Sequence, residues 1–132
     1  MAEDYRKGLN EIIRIDPENG AAFIDELERV SPIFAKYFVE FAFGKIYSRP
    51  ILDPKLKELI AIANLTAAGS GPSHLKLRII GAIRAGCSKE EILEVIIQSV
   101  VYVGFMKATM ALGLVKEAFE EYASASNQEL SS

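Results

Sequence analysis

Residues 54–104 read PKLKELIAIANLTAAGSGPSHLKLRIIGAIRAGCSKEEILEVIIQSVVYVG, and they decide the fold. Two runs within them are too apolar for ordinary surface helices. Between Leu59 and Ala68 only Asn64 and Thr66 are polar. Further on, Ile92, Leu93, Val95, Ile96, Ile97, Val100 and Val101 cover most of a helical circumference. A helix that is apolar almost all round is buried almost all round. The punctuation is also helical. Ser88 followed by Glu91 forms a capping box, in which hydroxyl and carboxylate satisfy orphan amides reciprocally. Gly86 reads as the left-handed stop of the preceding helix. No stretch alternates with strand period over a useful length.

Outward from this core the same signals recur. Asp16-Pro17, Ser31-Pro32 and Asp53-Pro54 each place a capping side chain before a proline at a first helical position. The expected helices cover about 2–15, 17–29, 32–47, 54–68, the segment up to Arg84 or Ala85, 89–103 and 105–122. The third stops before Arg49-Pro50. Ser70-Gly71-Pro72-Ser73 is a loop or a helix start, and the small polar tail 124–132 is expected to fray. The reading is an all-α, single-domain helical bundle of six to seven helices over residues 1–132.

The 132 residues are the size of one ordinary domain. Such a chain buries roughly two-thirds of its unfolded surface, so it needs neither disulfide nor metal to hold a core. Half the residues are hydrophobic and a quarter charged, a globular balance. The net charge is −3, with Lys and Arg scattered, so the basic stripe of a nucleic-acid binder is missing. The one cysteine, Cys87, favours a reducing cytoplasm and excludes a dithiol cycle within one subunit. The N-terminus has no signal-peptide core. The most apolar run, Val95 to Met106, is shorter than the roughly 20 residues of a membrane span. Two helices this apolar exceed what a small domain covers, so a second subunit is expected over part of them.

Few residues invite chemistry. Glu58, after Lys55 and Lys57 on an apolar helix, is either a first-turn carboxylate serving the helix dipole or a partly buried acid that carries a proton. His74 is the only histidine and sits among Ser70, Ser73, Lys76 and Arg78. It is a packing or surface residue, or part of an anion site in which helix amides and Arg78 hold a carboxylate. One histidine without an acidic cluster disfavours a metal site made by one subunit. Cys87 reads as a small residue beside a cap, with no partner thiol to resolve a sulfenic acid. Tyr102 reads as a core ring with a polar end, and Gln98 as a buried amide in need of a partner.

Two segments together resemble the carboxymuconolactone decarboxylase family, whose fold is shared with alkyl hydroperoxidase D. They are FAFGKIYSRPILDPKLKELIAIANLTAAG and HLKLRIIGAIRAGCSKEEILEVIIQSVVYVGF. The resemblance covers about residues 38–120. It implies the alkyl hydroperoxidase D-like helical fold and assembly as a homo-trimer or homo-hexamer. The redox branch of that superfamily carries Cys-x-x-Cys-x-x-x-His. Counting from Glu58 places its cysteines at Ser70 and Ser73; counting back from Gly86 places them at Gly71 and His74. Both thiols are absent on either count, and a hydroxyl cannot do the work of sulfur. The decarboxylase branch also lacks the pair. Its His-Leu-Arg triplet aligns near Arg78, with His74 one helical turn earlier on the same face. Met106 stands where that branch has a proline.

The resemblance therefore implies a small enzyme that acts on a carboxylate-bearing lactone or related acid by proton transfer. His74 and Glu58 are its candidate catalytic groups, and Arg78, Ser70, Ser73 and Tyr102 its candidate substrate contacts. No cofactor or metal is expected. Two alternatives stand beside it. One is a thiol peroxidase of peroxiredoxin type, using Cys87 and an outside reductant. The other is a non-catalytic oligomer that binds a small ligand.

Overall fold

Helices begin at Pro17, Pro32, Pro54 and Pro72, each time with the proline at a first helical position where its missing amide costs nothing. The computed structural model describes residues 2–69 and 71–131. The described residues form seven helices: α1 (Ala2–Ile15), α2 (Pro17–Val30), α3 (Pro32–Tyr37, continued by a π-helical segment Phe38–Tyr47), α4 (Pro54–Ala68), α5 (Pro72–Arg84), α6 (Lys89–Val103) and α7 (Phe105–Ser131). They fall into two compact units, Met1–Asp53 and Pro54–Ser132. The fold is all-α, as expected. No described helix is long and apolar enough to cross a membrane.

In the first unit, α1 packs along the π-helical segment. Two glycines set that approach. A Cβ on Gly8 would strike the Val39 carbonyl, and one on Gly44 would strike the Asp4 carbonyl. Two of the expected caps are seen here, with Asp16 Oδ1 accepting from the Asn19 amide and Ser31 Oγ from the Phe34 amide, both at 3.2 Å. The third helix was expected to be regular over 32–47. Instead it widens at Phe38, and the Ser48 amide reaches back five residues to the Phe43 carbonyl at 3.0 Å. Residues five apart on an α-helix are offset by about 140°. The wider turn brings Phe38 and Phe43 together, ring centroids 5.4 Å apart, with Phe43 and Tyr47 at 5.6 Å.

The second unit holds α4 to α7 around Ile62, Ile79, Ile92, Ile96, Val115 and Ala118. Its most deeply buried helix is α5, in which Leu77 to Ala82 are buried without a break. The sequence pointed to α4 and α6 as the buried helices. Within the single chain each buries one stripe, Glu58, Ile62 and Thr66 on α4 and Ile92, Ile96 and Ser99 on α6. Leu56, Ile60, Ile97, Val101 and Tyr102 stay exposed. Lys76, Arg78 and Arg84 disguise α5 in the sequence. Lys76 reaches the helix margin, where Nζ lies 2.8 Å from Glu121 of α7.

The turn from α5 to α6 is as expected and explains Cys87. Gly86 has φ +100°, its amide meets the Ile83 carbonyl at 3.0 Å, and the Cys87 amide meets the Ala82 carbonyl at 2.9 Å. This paired pattern closes a helix around a left-handed glycine. Its apolar contact is made by Cys87, buried in the same cluster as Ala82. The capping box follows, with Ser88 and Glu91 bonded reciprocally at 2.9 and 3.0 Å. Helix α7 runs past its expected end near residue 122 to Ser131. The sequence after Gly113 contains neither Gly nor Pro, and its Ser and Asn residues only weaken a helix.

Candidate functional site

The buried stripe of α4 begins with a carboxylate. Glu58 is 1% exposed, while Lys55 and Lys57 beside it are half-buried. A lone carboxylate at such depth would be costly, so a buried charge needs a partner. Helix α5 supplies one. Arg78 is itself buried, and its Nη1 donates to Glu58 Oε1 at 3.0 Å. Side chains on a helix lean toward its N-terminus, so the Arg78 guanidinium also lies over the preceding turn. There its Nε donates to Nε2 of His74 at 3.3 Å. Three candidates that the sequence offered separately thus form one chain of contacts, from Glu58 through Arg78 to His74.

The guanidinium of Arg78 lies against the Glu58 carboxyl group and supplies the opposite charge that a buried carboxylate needs. Burial and, second, the positive charge of Arg78 push the His74 pKa down to about 4. At neutral pH the ring is therefore neutral, and it cannot serve as a store of acid protons. In this arrangement His74 Nε2 is the acceptor of the Arg78 Nε hydrogen. Arg78 is engaged on both sides, by Glu58 and by His74. A substrate carboxylate that used its Nε edge as a bidentate clamp would have to displace the His74 contact.

Ser70 is outside the described residues. Ser73 is exposed on the first turn of α5. Tyr102, read from sequence as a core ring and substrate contact, is 86% exposed at the end of α6 and joins no contact with the three. Gln98 is exposed rather than buried, and its amide donates to Glu94 at 3.3 Å. Cys87 is buried, with Sγ 3.8 Å from the Lys55 carbonyl. Among the described residues, no group of three or more His, Cys, Asp and Glu side chains is placed to hold a metal.

One feature of the second unit gave no sequence signal. A shallow, open cleft of about 30 Å³ lies between Leu65, Pro72, Leu75, Met110 and Leu114. Lys107 stands at its edge, with Nζ donating to the Ala67 carbonyl at 3.0 Å and so satisfying the end of α4. Its apolar walls are indistinguishable from core residues in sequence.

Comparison with known proteins agrees with this architecture. A 4-carboxymuconolactone decarboxylase of Acinetobacter baylyi is 26% identical over 98 residues, which span 74% of this chain and 72% of that protein. An uncharacterized 15.0 kDa protein of Paracoccus denitrificans, from the nqo9-nqo10 intergenic region, is 25% identical over 130 residues, 92% of this chain and 97% of that one. The model of the carboxymuconolactone decarboxylase family matches residues 32–117, a span that takes in Glu58, His74 and Arg78. The chain belongs to the carboxymuconolactone decarboxylase family.

Proposed function

We propose that this protein is a small carboxy-lyase-type enzyme that acts on a carboxylate-bearing lactone or a related small acid. The observation that carries this reading is the buried Glu58–Arg78 pair with Arg78 also bonded to His74. A buried ion pair is often no more stabilising than apolar residues of the same size, so stability alone gives little reason to keep one. In decarboxylation the bond to the carboxylate carbon breaks and carbon dioxide leaves. The electron pair passes into the conjugated lactone carbonyl, and a proton then replaces the carboxyl group on carbon. A hydrogen-bond donor on His74, held in place by Arg78, stabilises the oxygen that gains charge. Neutral His74 with a pKa of about 4 is a poor acid store, so its part is donation of a hydrogen bond and relay of a proton from water.

The test is turnover of 4-carboxymuconolactone and of other carboxylated γ-lactones, followed by ultraviolet absorbance and carbon dioxide release. Loss of substrate matched by carbon dioxide supports the reading. An unchanged panel contradicts it, and tight binding without turnover favours a non-catalytic binding protein. Peroxidase chemistry has little support, because buried structural thiols are inert and no second cysteine exists.

The working form on this reading is a homo-oligomer, a trimer or a hexamer. Val101, Tyr102, Phe105, Met106 and Met110 are all at least 66% exposed over the end of α6 and the start of α7. Several large apolar side chains exposed so close in sequence favour a partner, and a second copy of the chain is the simplest.

A further inference from the structure

We infer that Arg78 is a positioning residue that fixes His74 as the neutral Nδ1–H tautomer, so that the ring meets its substrate as a hydrogen-bond donor and not as an imidazolium acid. The geometry requires it. Arg78 Nε bears a hydrogen and lies 3.3 Å from His74 Nε2. A guanidinium has no acceptor atom, so this contact forms only if Nε2 offers a lone pair. An imidazolium, or the Nε2–H tautomer, would set two N–H groups against each other. Glu58 makes the arrangement stiff. Its Oε1 takes the Arg78 Nη1 hydrogen at 3.0 Å, which holds the guanidinium plane while Nε faces the ring. The two contacts join α4 to the first turns of α5, both within the second unit.

The consequence for chemistry rests on the proposed carboxy-lyase reading. An oxygen of the substrate that meets this ring receives a hydrogen bond through Nδ1–H. The chemistry that suits is a carbonyl oxygen gaining negative charge, as in a lactone losing an adjacent carboxylate. A reaction that needs a full proton from the ring at neutral pH does not suit. Glu58 thereby acts on His74 through Arg78, without touching substrate.

His74 is the only histidine, so the full-length protein labelled with nitrogen-15 histidine gives one pair of ring nitrogens. A multiple-bond proton–nitrogen spectrum at neutral pH reads the tautomer directly. The expected wild-type spectrum has a protonated, pyrrole-type Nδ1 and an unprotonated, pyridine-type Nε2. Arg78→Met shifts the ring toward the Nε2–H form that free histidine prefers, and its pKa moves up toward the ordinary value. The double variant Glu58→Gln/Arg78→Met leaves no buried charge orphaned and is expected to shift the ring likewise. A protonated Nε2 in the wild type overturns the inference, as does an unchanged tautomer in a folded variant. Turnover does not enter this readout. A protein with the Nδ1–H ring and no lyase activity contradicts the functional reading alone, and an active protein with the Nε2–H ring contradicts this inference alone.

Discussion

Arg78 and His74 are one helical turn apart on α5, and Nε of the first donates to Nε2 of the second at 3.3 Å. Because Arg78 is also salt-bridged to buried Glu58, the guanidinium ties the histidine to that carboxylate. The relationship joins the stability of the second unit to the protonation of its candidate site.

Glu58→Ala leaves the Arg78 charge buried and is expected to cost about 3–5 kcal/mol of unfolding free energy. A paired apolar replacement, Glu58→Met with Arg78→Met, is expected to regain most of that loss while abolishing turnover. Urea unfolding of the single and double variants measures both. A single variant as stable as wild type contradicts the buried pair.

The pH dependence of stability follows from His74. The folded ring titrates at about 4 and the unfolded ring near 6.5. Between those values the unfolded chain holds a proton that the folded chain does not. His74 therefore lowers stability progressively as pH falls from about 6.5 to about 4, and has no such effect above that window. The loss is expected to be on the order of 2 kcal/mol after allowance for solvent screening. His74→Gln is expected to flatten this part of the curve, measured by denaturant unfolding from pH 4 to pH 8.

Gly8→Ala and Gly44→Ala each drive a methyl group into a facing carbonyl of the first unit. Neither carbonyl is a flexible side-chain end, so α1 must separate from the π-helical segment. Each substitution is expected to cost about 3 kcal/mol, seen as a lowered melting temperature. A cost below about 0.5 kcal/mol would show that the helices do not approach at these glycines.

Light scattering at micromolar concentration is expected to give a mass several times the 14.5 kDa of the chain. Val101→Glu with Phe105→Glu is expected to shift that mass toward the monomer, since a charge on a covered apolar patch loses its hydration. A wild-type monomer refutes the oligomer.

Most of the fold was legible because its signals are local. Asp16, Ser31, Ser88 with Glu91, and Gly86 act within a few residues of themselves, and each does in the structure what its type and spacing imply. The burial of α5 was hidden, since Lys76, Arg78 and Arg84 make a buried helix look amphipathic, and only the partners on other helices resolve this. The π-helical turn depends on how Phe38 and Phe43 pack, and no propensity encodes that. Glu58, His74 and Arg78 were each legible as candidates by residue type and by family resemblance. Their connection was not, because Glu58 and Arg78 lie 20 residues apart and meet only when α4 packs on α5. Tyr102 went the other way, as an aromatic in an apolar run that the chain leaves exposed.

The most direct test of the central claim measures carbon dioxide released per lactone consumed by the wild-type protein and by His74→Gln and Arg78→Lys, with carboxylated γ-lactones as substrates. The expected result is one carbon dioxide per substrate for the wild type, with kcat/KM lowered about 100-fold or more in each variant, the scale of losing a positioned donor. A wild-type protein that releases no carbon dioxide from any of them, or variants that keep wild-type turnover, would contradict the assignment of this chemistry to Glu58, Arg78 and His74.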